Sequence, residues 1–211
     1  MHQQGSSRGA ADMRRRVAVE AARLMSEHGI RDFHLAKRKA AERLKAGDKA
    51  QLPNNAEIED ALREHQRLFQ GHEHPRLVRH LREEAREAMK FFAEFEPRLV
   101  GAVLEGTADK YSAICLHLFC DAPEQVMILL DENRIDYTEQ DRRLRFAHDK
   151  SQEYPVLIVP RDDLRIDLTL LPHEAIRQAP LDRVDEKPMR RATIAALKKL
   201  LAEDGAESVP D

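Results

Sequence analysis

The hydrophobic period of this chain changes at Pro97, and that change limits the folds open to it. From Asp12 to about Phe95, apolar residues recur at the three-and-four spacing of amphipathic helices. After Pro97 they gather in short runs of four to eight, the length of strands, separated by Gly, Pro and Asp turns. Helices first and a strand-rich part second imply an α+β fold, with helices gathered at one end or face of a sheet.

The first part reads as four helices. Val17, Ala21, Leu24 and Met25 lie on one face until Gly29, a residue suited to the left-handed conformation that closes a helix. Asp32 can cap a second helix bearing Leu35, Ala36, Ala40 and Leu44, as far as Gly47. Pro53 breaks the pattern, and Asn54 or Asn55 can cap a third helix through Ile58, Leu62, Leu68 and Phe69, closed by Gly71. Pro75 suits a first helical turn, where its missing N–H costs nothing. It precedes the stripe Leu77, Leu81, Ala85, Ala88, Met89 and Phe92.

Beyond Pro97, residues 99–104 read as a strand ended by the turn Glu105-Gly106-Thr107, and residues 112–119 as a second strand. Asp121, with Pro123 in the first turn, reads as the cap of a helix bearing Val126, Leu129 and Leu130. Segments 135–138 and 144–146 flank a polar turn as one hairpin. Segments 154–160 and 164–171 flank Arg161-Asp162-Asp163 as a clearer one. A last helix is expected over 188–202, with Ile194, Leu197, Leu200 and Leu201 on one face.

Composition narrows the function classes. Aromatic residues make up 5% and Trp is absent, which argues against a base-stacking platform for single strands. No apolar run approaches the roughly 20 residues that span a bilayer, so no membrane partner is expected. Residues 1–11 are polar, carry no apolar core of a secretion signal and read as a disordered tail. Cys115 and Cys120 lie five apart in one strand, hence on opposite faces and unable to bridge; two free thiols point to a reducing cytoplasm. Residues 1–50 hold 12 basic against 6 acidic side chains, and residues 51–211 hold 23 against 32. A basic arm on an acidic body directs attention to a polyanionic partner, although solvated helix faces carry such charges too.

The run Leu99-Val-Gly-Ala-Val-Leu-Glu-Gly-Thr107, followed by Ser112-Ala-Ile-Cys-Leu-His-Leu-Phe119, resembles the nucleotidyltransferase (DNA polymerase β-like) superfamily. That family shows a helix, a strand, a Gly-Ser turn and a strand bearing Ser-Asp-Ile-Asp-Leu. Its third acidic residue comes from a later strand, which Arg165-Ile166-Asp167-Leu168 resembles. The likeness covers about residues 76–172 and implies a mixed β-sheet flanked by helices. The domain reading is then a tail at 1–11, a helical region at 12–71, a nucleotidyltransferase-like domain at 72–202 and a second tail at 203–211.

In such a site, carboxylates at i and i+2 of a strand share one face and join a third to hold two Mg²⁺ ions. Here the paired positions are Ala113 and Cys115, and only Asp167 keeps its carboxylate. Alanine offers no ligand and a thiol is too soft for Mg²⁺, so ordinary two-metal transfer is not expected. The resemblance implies that Gly106, Thr107, Arg165 and Asp167 would face a nucleotide. The leading expectation is a degenerate, non-catalytic member without a cofactor, binding a nucleotide, RNA or protein partner in a regulatory role. Its alternative is an active nucleotidyltransferase in which displaced carboxylates, Glu105 and Asp109, hold Mg²⁺.

Three further constellations carry weaker chemistry. Strand alternation puts Cys115 and His117 on one face, and with Asp167 they form a donor set suited to zinc; the plain reading is a packed thiol and a hydrogen-bonded histidine. His65, His72, His74 and His80 lack zinc spacing and read as a solvated linker. Residues 14–44, above all Ala21-Ala-Arg-Leu-Met-Ser-Glu-His-Gly-Ile30, look like the first helix and turn of a TetR-type repressor. That likeness implies a DNA-binding regulator, with Arg14, Arg15, Arg16, Lys37, Arg38 and Lys39 against phosphates. Against it, 31–45 reads as one continuous helix, with no separate recognition helix, so a basic helical hairpin is the simpler expectation.

Overall fold

Helices fill the first part of the chain and a mixed sheet organises the second. The computed structural model describes residues 4–47, 51–69, 71, 73–147 and 150–206. The chain divides into two units, one reaching to His74 and including Arg183–Asp185, the other formed by Pro75–Asp182 and the residues from Glu186 onward. Among the described residues no helix is long and apolar enough to cross a membrane.

The first unit is built from α1 (Gln4–His28), α2 (Phe33–Arg43) and α3 (Asn55–Phe69). Val17, Ala21, Ala22, Leu24, Ala36, Ala40, Ile58 and Leu62 form its core. The sequence sets the helix starts through short polar side chains. Asp32 accepts the Leu35 N–H at 2.7 Å. Asn54 Oδ1 accepts the Glu57 N–H at 2.8 Å, while Glu57 Oε2 accepts the Asn54 N–H at 2.7 Å, a reciprocal cap. Gly29, at φ 66°, turns the chain between α1 and α2.

The second unit runs α4 (Glu73–Phe91), β1 (Arg98–Val100), α5 (Ala102–Glu105), β2 (Ile114–Phe119), α6 (Glu124–Glu132), β3 (Thr138–Ala147), β4 (Lys150–Arg161), β5 (Leu164–Leu171) and α7 (Ile194–Ala206). The strand order is β1-β2-β5-β4-β3. Only β2 and β5 are parallel; every other neighbouring pair is antiparallel. The fold is α+β, as the period change at Pro97 implies.

Alternation along the strands gives the sheet two unlike faces. Ile114, Leu116 and Leu118 of β2, with Ile166, Leu168 and Leu170 of β5, join Leu81, Ala85 and Met89 of α4, Val126 and Leu130 of α6, and Leu197 of α7 in one buried core. The intervening residues Cys115, His117, Asp167 and Thr169 point to the other face.

Several expectations are corrected. The segment read as a tail before Asp12 is helical from Gln4: it has no proline, and Ala10 and Ala11 let the packed helix propagate backwards. The strand expected over 99–104 stops at Val100, because Gly101, at φ 73° and ψ −157°, turns the chain into α5. The strand expected over 112–119 starts at Ile114, since Ser112 is engaged in a turn with Asp109. The first hairpin is instead one strand, β3, whose polar middle lies on a sheet edge where alternation need not bury it. The Arg161–Leu164 hairpin forms as read, with Asp162 at φ 52°. Asp121 does not cap α6 but accepts the His173 N–H at 3.1 Å. The last helix starts at Ile194 rather than 188, because Ala192 is engaged with Leu99 as an antiparallel bridge, and it runs on through Ala206. Residues 207–211 lie outside the described residues.

One buried side chain ties three elements together. Arg82 of α4 donates to Val103 O at 3.1 Å and to Leu104 O at 3.0 Å, both on α5, and pairs with Asp204 of α7 at 2.8 Å. Losing it leaves two buried carbonyls and a carboxylate without that donor. Arg82→Leu is therefore expected to destabilise the protein by about 2–4 kcal/mol in urea unfolding.

Candidate functional site

The polar face of the sheet gathers the chemistry-bearing residues. Cys115 of β2 stands opposite Asp167 of β5, and His117 opposite Thr169. Asp167 and His117 are each 3% exposed and Thr169 1%. The side chain closing on them was not picked out from the sequence: Arg142 of β3 reaches past β4. Its Nη2 donates to Asp167 Oδ2 at 2.7 Å, and its Nη1 to Thr169 Oγ1 at 3.5 Å. Arg165 Nε stands 3.0 Å from Asp167 Oδ1 without the alignment of a hydrogen bond. Nothing in the alternating pattern of β3 marks Arg142 apart from its neighbours; only the β3–β4–β5 pairing brings it to Asp167.

The electrostatics of this face follow from burial beside charge. The Cys115 thiol is pushed up to about 11, first by burial and then by the Asp167 carboxylate, which disfavour a thiolate. The His117 imidazole is pushed down to about 3 by burial, and then by the charges of Arg191 and Arg142. It is therefore neutral at physiological pH, and its Nδ1 has no hydrogen-bond partner among the described residues.

These facts bear on the metal readings. Of the two positions that the resemblance pairs with aspartates, Ala113 lies just before β2, and Cys115 sits on the face beside Asp167. One carboxylate flanked by two guanidiniums is already neutralised, and a divalent ion would have to displace Arg142 from it. Among the described residues no group of three or more His, Cys, Asp or Glu is placed to hold a metal ion. The displaced carboxylates have other work. Asp109 Oδ1 accepts the Tyr111 N–H at 2.8 Å and holds its own turn, and Glu105 pairs with Arg190 at 2.9 Å.

The expected phosphate turn lies elsewhere. Gly106, at φ 75°, ends α5 beside Arg82, whose Nη2 would stand 3.5 Å from an added Cβ. Thr107 is buried, and its N–H is spent on Ala102 O at 3.0 Å. The turn beside the polar face is Gly101, where an added Cβ would lie 4.0 Å from Cys115 Cβ. Its signal in the sequence is a glycine directly after the apolar run Leu99-Val100.

Other candidates fall in the first unit or at its edge. Arg14 donates to both Glu57 oxygens, at 2.6 Å in the shortest contact, which ties α1 to α3. Arg15 pairs with Asp12 at 3.4 Å. Lys37 is pulled below its ordinary value by partial burial, against the opposing charge of Glu57. Arg16, Arg38 and Lys39 are exposed. An open groove of about 770 Å³ runs over this unit, lined by Arg14, Val19, Leu44, Glu57, Asp60 and Glu64 among others. His65 stacks on Phe69 at 4.8 Å, and His74 belongs to α4 rather than to a linker. His80 is exposed, and His72 lies outside the described residues. Neither protein-family models, nor curated proteins, nor solved structures give a match to this chain.

Two outcomes are expected from the site. The unfolded imidazole of His117 takes a proton near 6.5 and the folded one only near about 3. Between those values the unfolded state holds more protons, so stability is whole above the window and falls as pH drops through it. His117→Gln is expected to flatten the melting temperature against pH over that window, read by calorimetry. Introducing carboxylates with Ala113→Asp and Cys115→Asp is expected to create a tight Mn²⁺ site only when Arg142→Ala is added, as titration calorimetry of the double and triple variants would show.

Proposed function

We propose that the second unit is a nucleotidyltransferase-like domain that does not transfer nucleotides, and that it binds a nucleotide, RNA or protein partner in a regulatory role. The observation that carries the reading is the Arg142–Asp167 pair: a side-chain cation stands on the one retained carboxylate. The strand–turn–helix at Gly101 and the placement of Cys115, the second of the two paired positions, opposite Asp167 support the likeness. The loss of two carboxylates and the engagement of the third support the absence of two-metal chemistry. Two free thiols, one buried and one half-buried, agree with a cytoplasmic protein.

With its cation built in, the face binds an anionic ligand without Mg²⁺. Nucleoside mono- and triphosphates are expected to raise the melting temperature equally in Mg²⁺ and in EDTA, and radiolabelled triphosphates to leave no label on RNA or protein. Mg²⁺-dependent transfer of a nucleotide would overturn the reading in favour of an active enzyme.

A further inference from the structure

One cluster on the polar face holds more positive charge than the fold neutralises. Arg98 of β1 stands opposite His117 of β2. The Arg98 guanidinium lies 5.9 Å from the centre of the Phe119 ring, and that of Arg191 lies 5.5 Å from the same centre. Arg191 donates to Ala175 O at 2.9 Å and to Ile176 O at 2.7 Å, and among the described residues no carboxylate pairs with it. Arg98 donates to Glu96 O at 2.7 Å and to Pro97 O at 3.1 Å; among the described residues the carboxylate that pairs with it, that of Glu96, is 3.5 Å away and half-exposed. Arg142 approaches from β3, its charge shared with Asp167.

Stacking on an aromatic face offsets only part of what two like charges lose by sharing one buried ring. The Arg191 guanidinium is pulled below its ordinary value by burial, and then by the charge of Arg98. Each guanidinium carries five N–H donors, and carbonyls occupy two contacts of Arg191. Beside them, His117 is almost wholly buried with its Nδ1 unpartnered among the described residues. The cluster is therefore short of negative charge and of acceptors at once.

We propose that Arg98, Arg191 and Arg142 form an anion site around His117 and Thr169, and that its ligand is a phosphate, free or as a monoester. Three guanidiniums carried by different elements suit the several oxygens of a tetrahedral group better than the two of a planar carboxylate. Phosphate also carries close to two negative charges at neutral pH, enough to offset the two cations stacked on Phe119. The inference rests on the reading of this face as a binding surface. It differs in assigning the phosphate to arginines one row along the strands from Asp167, with no metal between.

The test uses the full chain and three probes, inorganic phosphate, AMP and adenosine, at ionic strength held constant with chloride and read by calorimetry. Phosphate and AMP are expected to bind saturably and adenosine not. Arg98→Gln and Arg191→Gln should each weaken phosphate about tenfold or more, while Arg190→Gln, on a side chain paired with Glu105, should leave it unchanged. Should the glutamine variants fail to fold, Arg191→Lys keeps the charge and loses the planar fork, and is expected to weaken phosphate as well. Absence of saturable phosphate binding to the native chain, or binding undiminished in the variants, overturns the site. Nucleotide binding that survives both arginine changes removes this site and leaves the broader reading standing; phosphate binding without any nucleotide binding does the reverse for the nucleotide arm.

Discussion

The parallel pairing of β2 with β5 is the constraint on which the second unit depends. It joins two strands distant in sequence with Leu116 level with Leu168 and Cys115 level with Asp167. A shift of one residue would turn Cys115 and His117 into the core and the leucines outward. The pairing therefore sets both the packing of α4, α6 and α7 on one face and the gathering of polar groups on the other. Burial of the leucines and isoleucines holds that register, at roughly 1.5–3 kcal/mol for each large side chain removed from water.

The same register creates a problem of charge. It buries Asp167, and a buried carboxylate is costly without a partner. In a metal site the partner is an ion; here the chain supplies Arg142 and Arg165. A guanidinium on a strand is always present and carries no exchangeable coordination sites, so it neutralises the carboxylate without activating a hydroxyl or bridging phosphates. What remains on the face is Arg98, Arg191 and Arg142 around a neutral histidine, the arrangement on which the proposed anion site rests.

The first unit handles charge differently. Its basic side chains are partly spent inside the unit: Arg14 on Glu57, and Arg23 on Glu20 at 2.9 Å and on Glu27 at 2.6 Å. Such pairs contribute little apiece at an exposed surface. They reduce the positive field that the count of lysines and arginines suggests, and only exposed groups such as Arg16, Arg38 and Lys39 keep it.

Local chemistry in the sequence determined the helices of the first unit, the Asp32 cap, the Asn54–Glu57 pair and the hairpin between β4 and β5, because each depends on neighbours within a few residues. It also determined which side chains share a face, since alternation along a strand is a local rule; Cys115, His117 and Asp167 were legible for that reason. Strand ends were less legible: Gly101 and Ala192 act through contacts with other elements, so β1 is shorter, and α7 later, than apolar runs suggest. Tertiary structure alone decided the fate of Asp167 and the company of His117. Arg142 lies 25 residues from Asp167 in the chain, and Arg191 is remote from Phe119. Nothing in their flanking residues says which acid or ring they meet, because a long cationic side chain finds its partner only after strand order has placed that partner within reach.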